Sequence, residues 1–407
     1  MSGASLYLFN PTCDYATGNG RPSWQPNKML QKMEADMDAL PLFFAALDDC
    51  VLVEKIPLPE FFEPLLKMGI RAPVFIEKKR AFHDEGFINQ LRKSLQPWGW
   101  SPAVHKFLSP FKNSCSETFK QSPVFYWSPE QREIRSRKYA LEILHRLIHE
   151  FPENHFISFD QTASVCTQKK DFEQALSKWK KIMVKSPWSS SGRGLQPISK
   201  TPVHPKVWEK LAGIVKTQGY AMAEPLLNRK ADIAFQFKVE KQKVSFVGIS
   251  NFTTDNKGQY MGNNLNGLPG DWNKKLLDFV RFVPQIIVEP LTHILESGKI
   301  AAFYEGYLGV DALIYEDKYG GFKINPCLEI NLRYNMGLLS VLLEKHLATN
   351  RKGVFRTWFH PEKLFIDFKK EMEQMHPPSF SGNRLEKGFV ALTSAQSNSH
   401  FGAFVFI

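Results

Sequence analysis

Two acidic residues late in the sequence are spaced so that together they could bind a cation. Residues 307–315 and 322–331 both read as strands, and the segment between them is rich in turn formers. If this hairpin turns at Gly320, Asp311 and Glu329 are equidistant from the turn and lie opposite each other. Two facing carboxylates repel each other unless a cation lies between them. The spacing therefore predicts a cation site.

An amide and a guanidinium extend this predicted site. Asn331 lies two residues after Glu329 and therefore on the same face of the strand. Oxygen ligands of this kind suit Mg²⁺ or Mn²⁺, and Mg²⁺ usually takes one or two carboxylates together with substrate phosphates. We predict that Asp311, Glu329 and Asn331 bind the metal. Arg333 continues the alternation and would stabilise charge on a phosphoryl group in transfer. The alternative is a polar, solvent-facing edge strand.

A second group of residues could bind phosphate. Lys185 ends a short predicted strand and is followed by a loop of serines and glycines. Such a loop can turn backbone N–H groups and hydroxyls toward a phosphate chain while basic side chains neutralise it. Neither the P-loop pattern nor G-x-G-x-x-G occurs, and a flexible surface turn is the alternative. The predicted phosphate-binding residues are Lys185, Ser189, Ser190, Ser191, Gly192, Arg193 and Gly194.

Predicted secondary structure places both groups in an α/β chain. Short apolar strands alternate with helical patterns up to about residue 120, which predicts an α/β layer with a partly parallel sheet. Ser136 is the expected N-cap of a helix with one apolar face, and alternating residues after Asp232 predict an antiparallel meander. Residues 10–21 and 251–270 are rich in turn formers. Each is either a substrate-binding loop or an ordinary surface loop.

Composition narrows the function classes. The chain has 407 residues, 43% of them apolar, which is enough for a large core in two or three subdomains. A net charge of +11 favours anionic partners, but the basic residues are scattered and no nucleic-acid-binding motif occurs. Five widely separated cysteines without a C-x-x-C pair argue against a disulfide or zinc framework. No segment approaches the roughly 18 apolar residues of a membrane span, so we expect a cytoplasmic protein without a membrane partner.

From about residue 130 to residue 345, the sequence resembles the ATP-grasp superfamily of carboxylate–amine ligases. The order and spacing of the matching pieces are more specific than any single piece. The pieces are residues 136–138, 184–187 with 189–194, 223–227, 309–311 and 328–333.

This resemblance implies an α/β protein with the ATP-grasp fold, in which two α+β subdomains enclose the nucleotide. The N-terminal α/β pre-ATP-grasp domain would span residues 1–125 and the small lid subdomain residues 126–225. The metal-binding subdomain would span residues 226–350, followed by a C-terminal extension of unknown role at residues 351–407.

The resemblance also implies roles for individual residues. Arg137 and Lys185 would hold phosphates under the serine and glycine loop, and Asp232 would reach the ribose. Arg193 and Arg333 would be catalytic. The hinge against adenine and ribose would be Glu224, Pro225, Leu226 and Leu227, and the ligands of two Mg²⁺ would be Asp311, Glu329 and Asn331.

Three positions depart from the family pattern. Arg137 replaces the usual first phosphate-binding lysine, Leu332 stands where proline often follows the metal-binding asparagine, and Gly309 stands where an arginine is common. The metal ligands are intact, so these changes affect affinity and substrate pose more than ATP use.

The implied reaction is an ATP- and Mg²⁺-dependent (or Mn²⁺-dependent) ligation. A small-molecule or peptide carboxylate would be phosphorylated to an acyl phosphate, and an amine would then displace phosphate to form a carbon–nitrogen bond. Three alternatives stay open: phosphoryl transfer without ligation, a non-catalytic nucleotide-binding module and a basic nucleic-acid-binding protein. The sequence identifies neither substrate and does not indicate the oligomeric state.

Overall fold

The computed structural model describes residues 3–189, 192, 194–255 and 258–407. Its first part is built on the strands β1 (Ala4–Leu8), β2 (Cys50–Val53), β3 (Val74–Glu77) and β4 (Arg92–Pro97). These strands pair in the order β3-β2-β1-β4 and are parallel throughout, which confirms the predicted α/β layer. Leu6, Leu52 and Leu95 are buried in this sheet, as expected for parallel strands covered on both faces.

Eight short helices surround this first sheet. One of them corrects an expectation, because residues 10–21 are not an extended loop but contain a helix. The helices are α1 (Cys13–Asn19), α2 (Lys28–Asp36), α3 (Pro59–Lys67), α4 (Lys78–His83), α5 (Glu85–Asn89), α6 (Pro102–Phe107), α7 (Glu117–Lys120) and α8 (Pro129–Glu133).

The helix α9 (Arg137–Glu150) leads into a second, smaller sheet. Ser136 caps α9, since its hydroxyl accepts a hydrogen bond of 3.1 Å from the Tyr139 N–H, as predicted. The small sheet has the antiparallel order β5-β8-β6-β7, and two helices bury their apolar faces against it. Its elements are β5 (Ser164–Cys166), α10 (Lys169–Trp179), β6 (Ile182–Lys185), β7 (Leu195–Ile198), α11 (Pro205–Gln218) and β8 (Ala221–Pro225).

A large antiparallel sheet forms the remainder of the structure. Its first two strands are the predicted meander, and one face packs on α9 and α12 through Ile233 and Phe235. The next strand corrects another expectation, because residues 251–270 are not simply a loop but contain the end of β10 and all of β11. The elements are β9 (Asn228–Glu240), β10 (Lys243–Thr254), β11 (Tyr260–Leu265), α12 (Lys274–Glu296), α13 (Lys299–Phe303), β12 (Gly306–Glu316), β13 (Phe322–Asn331), α14 (Met336–Glu344) and β14 (Gly353–Phe359).

The last segment of the chain completes the large sheet. It contains α15 (Phe365–Met375), β15 (Ser379–Ser381), β16 (Arg384–Lys387), β17 (Phe389–Ala391) and β18 (Phe401–Phe406). The sheet order is β13-β12-β9-β10-β11-β14-β18-β17. A buried carboxylate ties this edge to the first part of the chain, since Asp36 accepts hydrogen bonds from the N–H groups of His400 and Phe401.

Among the described residues, no helix is both long enough and apolar enough to cross a membrane.

Candidate active site

The hairpin of β12 and β13 changes register part-way along its length. Near the turn, Leu313 lies opposite Asn325, whereas further along Asp311 lies opposite Glu329. A single residue of β12 therefore spans the same stretch as three residues of β13. Without this shift, the pairing near the turn would place Cys327 opposite Asp311.

The predicted pairing of Asp311 with Glu329 is therefore confirmed, but the expected reason for it is wrong. A uniform ladder centred on Gly320 does not exist, because the ladder near the turn is centred one residue earlier. The register shift restores the pairing. Irregularities of this kind often re-aim side chains next to functional sites.

Burial and neighbouring charges shift the pKa of the Asp311 carboxyl. Removal from water, and then the neighbouring carboxylate of Glu329, raise the pKa of Asp311 to about 7. The Arg333 guanidinium and a hydrogen bond with Asn331 act in the opposite direction. A divalent cation would relieve this repulsion, and two carboxylates with one amide are a suitable oxygen donor set for Mg²⁺. The residues present therefore fit the predicted metal.

Arg137 bridges the metal-ligand candidates and the phosphate loop. It begins α9 and is buried. Its Nη2 atom lies 2.8 Å from both carboxylate oxygens of Glu329, while Nη1 donates to the Ser189 hydroxyl at 2.8 Å and to the carbonyl of Ser186. The predicted phosphate ligand Arg137 and the predicted metal ligand Glu329 are thus paired with each other. A metal bound at Glu329 would have to share this carboxylate with Arg137.

Lys185 and Glu224 form the other charged pair of the site. They lie on the neighbouring strands β6 and β8, and Lys185 Nζ is 2.5 Å from Glu224 Oε1. Both side chains are largely buried, so the pair is shielded from solvent. Asp232 also lies near, and its pKa is raised by burial and lowered less strongly by Arg229 and by Lys185.

A narrow cleft opens between the small and the large sheets. Charged residues line one part of it and apolar side chains the other, which is the usual composition of a small-molecule site. The lining residues are Arg137, Leu141, Leu144, Ala163, Lys185, Met222, Glu224, Asn325, Cys327 and Leu328. Of the four predicted hinge residues, Glu224 lines the cleft. Pro225 ends β8, and Leu226 and Leu227 follow it, Leu226 being exposed.

Residues 189–194 are here called the glycine loop, of which the structure describes Ser189, Gly192 and Gly194, and Gly192 lies against Gly258. Gly192 and Gly194 have φ values of +72° and +85°, which favour glycine. A Cβ atom at Gly192 would collide with the carbonyl of Gly258. Three predicted residues, Ser190, Ser191 and Arg193, lie outside the described part of the chain. Their roles stay predictions.

Arg333 does not extend the strand, because β13 ends at Asn331. The expected alternation is therefore wrong, although Arg333 still lies beside the metal-ligand candidates. Its Nη2 donates to Asn331 Oδ1 at 2.8 Å, and its Nε donates to Asp14 Oδ2 at 2.9 Å. Burial alone would lower the pKa of Arg333, but the Asp14 carboxylate raises it above its usual range.

Asp14 is a site residue that the sequence did not reveal. It lies on α1, within residues 10–21, and contacts Arg333 across 319 positions of sequence. The only signal in the sequence was the concentration of polar turn formers after the first strand. Nothing in that pattern indicates which distant residue such a carboxylate would contact.

No protein-family model and no curated protein sequence matches this chain. Solved structures are similar to it. The biotin carboxylase domain of the 2-oxoglutarate carboxylase from Hydrogenobacter thermophilus is 10% identical, with a TM-score of 0.53, over 100% of this chain and 86% of that chain. Biotin carboxylase from Campylobacter jejuni is 14% identical, with a TM-score of 0.50, over 99% and 86%. Pyruvate carboxylase from Rhizobium etli is 12% identical, with a TM-score of 0.56, over 100% of this chain and 36% of that chain.

The chain has the ATP-grasp fold. The cleft of this ATP-grasp fold lies between the two sheets that follow the first 135 residues. Lys185 and Glu224 come from the small sheet, and Asn325 and Cys327 come from β13 of the large sheet. The charged pairs described above therefore sit at the junction of the two subdomains.

Proposed function

We propose that this protein is an ATP- and Mg²⁺-dependent carboxylate–amine ligase. The register shift in the hairpin of β12 and β13 carries the proposal, because it sets Asp311 opposite Glu329 on the strand that lines the cleft. The similar structures support it further. Biotin carboxylase from Campylobacter jejuni was solved with a β,γ-ATP complex, and the Hydrogenobacter domain with MgADP and bicarbonate.

ATP would occupy the cleft between the sheets. Its base would lie against the apolar lining, which includes Leu141, Ala163 and Met222. Its phosphates would lie toward Lys185 and Arg137, whose positive charges are buried and therefore weakly screened. The glycine loop would cover the phosphates and exclude water from the reaction.

Asp311, Glu329 and Asn331 would hold Mg²⁺, or Mn²⁺ in its place. When bound, the metal would neutralise negative charge on the phosphates. Arg137 would keep its contacts with Ser189 and Ser186 and yield at least one oxygen of Glu329. The ion pair between Arg137 and Glu329 would therefore be partly broken when the metal binds.

In the first step, an oxygen of the substrate carboxylate would attack the γ-phosphorus of ATP. The bond from this phosphorus to the β,γ-bridging oxygen breaks, and ADP leaves. Lys185 and Arg333 would take up the developing charge, and Arg193 is proposed for the same role. The product is an acyl phosphate.

In the second step, the nitrogen of the amine would attack the acyl carbon. Inorganic phosphate leaves as the amide forms, and the nitrogen releases its proton to solvent. The chain needs no covalent nucleophile for either step. The carboxylate is a small molecule or a peptide group, and transfer of the phosphoryl group to a hydroxyl is the competing outcome.

The first experiment measures thermal stability with and without a non-hydrolysable ATP analogue and Mg²⁺. A ligand that binds only the folded state raises the free energy of unfolding by about 2.7 kcal/mol at 100 times its Kd, and the thermal midpoint rises with it. We expect a shift of several degrees in the wild type and none in Glu329→Ala. Glu316→Ala is the matched control, because Glu316 lies on the same hairpin but pairs with Lys230.

Turnover then decides the reaction class. ADP release that requires both a carboxylate and an amine, with an amide as product, would support the ligase. A phosphorylated hydroxyl would identify a phosphotransferase instead. No midpoint shift in the wild type at millimolar nucleotide would overturn the nucleotide site altogether.

A further inference from the structure

Asp14 and Arg333 meet at a particular place in the first sheet. Asp14 follows β1, and residues Trp98 and Gly99 follow β4, so both segments lie at the carboxyl ends of neighbouring parallel strands. Between β1 and β4 the strand order reverses, because β2 and β3 lie on the other side of β1. Open α/β sheets bind ligands at such switch points. The contact between Asp14 and Arg333 therefore lies where a ligand-binding site is expected.

The backbone around Arg333 is fixed to this edge. The Tyr334 N–H donates to the carbonyl of Trp98 at 2.8 Å, and a Cβ at Gly99 would lie 3.0 Å from the Cβ of Arg333. The side chains of Arg333 and Asp14 are 13% and 19% exposed. A guanidinium held in this way has little freedom to change its direction.

The hydrogen bonds of Arg333 leave part of its capacity unused. Nε donates to Asp14, Nη2 donates to Asn331 Oδ1, and Nη1 donates to the Tyr334 carbonyl at 3.3 Å. A guanidinium has five N–H groups. Within the described residues, two N–H groups, one on each Nη atom, have no acceptor and are available to an anion.

We propose that Asp14 is a positioning residue for the transfer step: it fixes the Arg333 guanidinium so that its two remaining N–H groups meet the reacting anion. Through Arg333 Nη2 it also orients Asn331 Oδ1 toward the metal. This role rests on the proposed function. Partners of metal ligands commonly matter in this way, because they set the direction of the ligand's lone pairs.

The helix that carries Asp14 is linked through Arg132 to Trp188, the residue before the glycine loop. Arg132 donates to the carbonyls of Thr17 and Gly18 on α1, and its guanidinium lies 4.0 Å from the centre of the Trp188 ring. Trp188 directly precedes the glycine loop. Helix α1 thus contacts both sides of the cleft, and the nucleotide-binding subdomains alone do not complete the site.

The test compares Asp14→Asn with Asp36→Asn. Both residues are acids of the first domain that contact the later part of the chain, but Asp36 binds the backbone of β18 and lies away from Arg333. We expect Asp14→Asn to lower kcat for ADP release by about 10- to 100-fold with little change in KM for ATP. Asp14→Glu should restore part of the rate. Asp36→Asn should lower the thermal midpoint and leave kcat unchanged.

A second readout does not depend on turnover. Mn²⁺ is titrated by calorimetry into protein saturated with ADP, and Asp14→Asn should bind Mn²⁺ about tenfold more weakly. In a double-mutant cycle with Arg333→Lys, the two losses should not add, because both changes disrupt the same contact.

The outcomes separate the two proposals. Failure of the wild type to bind nucleotide and Mn²⁺ would overturn the proposed function, and the role of Asp14 with it. Normal binding in the wild type, combined with unchanged kcat and Mn²⁺ affinity in Asp14→Asn, would overturn the role of Asp14 alone. Equal loss in Asp14→Asn and Asp36→Asn would show that the contact is only structural.

Discussion

The guanidinium of Arg137 holds both carboxylate oxygens of Glu329 at 2.8 Å, although the two residues are 192 positions apart in sequence. Ion pairs between a guanidinium and a carboxylate are among the strongest hydrogen-bonded contacts in proteins. In this protein the contact links the start of α9 to β13 across the cleft. It also makes a proposed phosphate ligand the direct competitor of the proposed metal for Glu329.

This competition predicts that Arg137→Lys binds metal more tightly. A lysine keeps the positive charge for phosphate but has one nitrogen, so it cannot contact Glu329 while a second nitrogen donates to Ser189 and Ser186, as in Arg137. We expect the Mn²⁺ affinity of the ADP-bound protein to rise several-fold, measured by calorimetric titration. Arg146→Lys is the control, because Arg146 lies on the same helix and donates through two nitrogens to the two carboxylate oxygens of Glu150 at the surface. Weaker Mn²⁺ binding in Arg137→Lys would contradict the competition.

The pair of Lys185 and Glu224 should have separable effects on stability and on binding. Lys185→Met leaves a buried carboxylate without its partner, which costs about 3–5 kcal/mol of folding free energy. The double variant Lys185→Met with Glu224→Gln should recover most of that stability but not the midpoint shift with nucleotide. Urea unfolding with and without the ATP analogue measures both quantities. A double variant that still responds to nucleotide would exclude Lys185 as a phosphate ligand.

The glycine loop should tolerate no side chain at Gly192. Gly192→Ala introduces a Cβ that collides with the Gly258 carbonyl at a positive φ, so residue 192 cannot keep its place against Gly258. We expect kcat/KM for ATP to fall about tenfold, since closure of such loops organises the site. Gly213→Ala is the matched control in the same subdomain, because nothing lies within 4 Å of its Cβ. Similar kinetics for both variants would argue against a seated loop.

Charge is concentrated in the small-sheet subdomain and should speed nucleotide capture. Residues 164–225 contain ten lysines and one arginine but four acidic residues, a net charge of +7 out of +11 for the chain. Such a field raises the association rate of anions and is screened by salt. Replacing the exposed Lys169, Lys206 and Lys216 by Gln should lower the stopped-flow association rate about tenfold at low salt and flatten its salt dependence. Lysine changes on α3 or β4 should have little effect.

Stability should decline in acid because of His105. Burial, followed by the charges of Lys112 and Arg135, lowers the pKa of His105 to about 3. Lys112 Nζ lies 3.0 Å from His105 Nδ1, so the ring is neutral with its proton on Nε2. Between pH 6.5 and 3 the unfolded chain binds this proton and the folded chain does not. The contribution of His105 to the free energy of unfolding is therefore complete above pH 6.5. Below pH 6.5 the free energy of unfolding falls by up to about 1.4 kcal/mol per pH unit.

The variant His105→Gln isolates this contribution. Urea unfolding between pH 4 and pH 8 should give a smaller slope with pH for His105→Gln than for the wild type. His83→Gln, at an exposed histidine on α4, should keep the slope of the wild type. Identical slopes in all three proteins would show that His105 does not titrate on unfolding.

Local sequence determined much of this protein. The cap at Ser136, the meander of β9 and β10 and the face shared by Glu329 and Asn331 follow from interactions between near neighbours and from the two-residue period of strands. The pairing of Asp311 with Glu329 was predicted from a uniform hairpin, but in the structure it depends on the register shift. The order and spacing of the motifs that resemble the ATP-grasp superfamily then indicated the fold. This inference did not depend on any single contact.

Tertiary structure decided the contacts that complete the site. Three features of the site depend on packing between distant segments. They are the register shift between β12 and β13, the ion pair of Arg137 with Glu329 and the contact of Asp14 with Arg333. The same holds for β11, β14 and β18, whose pairing creates the far half of the large sheet. Propensity and spacing describe a residue's own neighbourhood, whereas these contacts depend on which segments the hydrophobic core brings together.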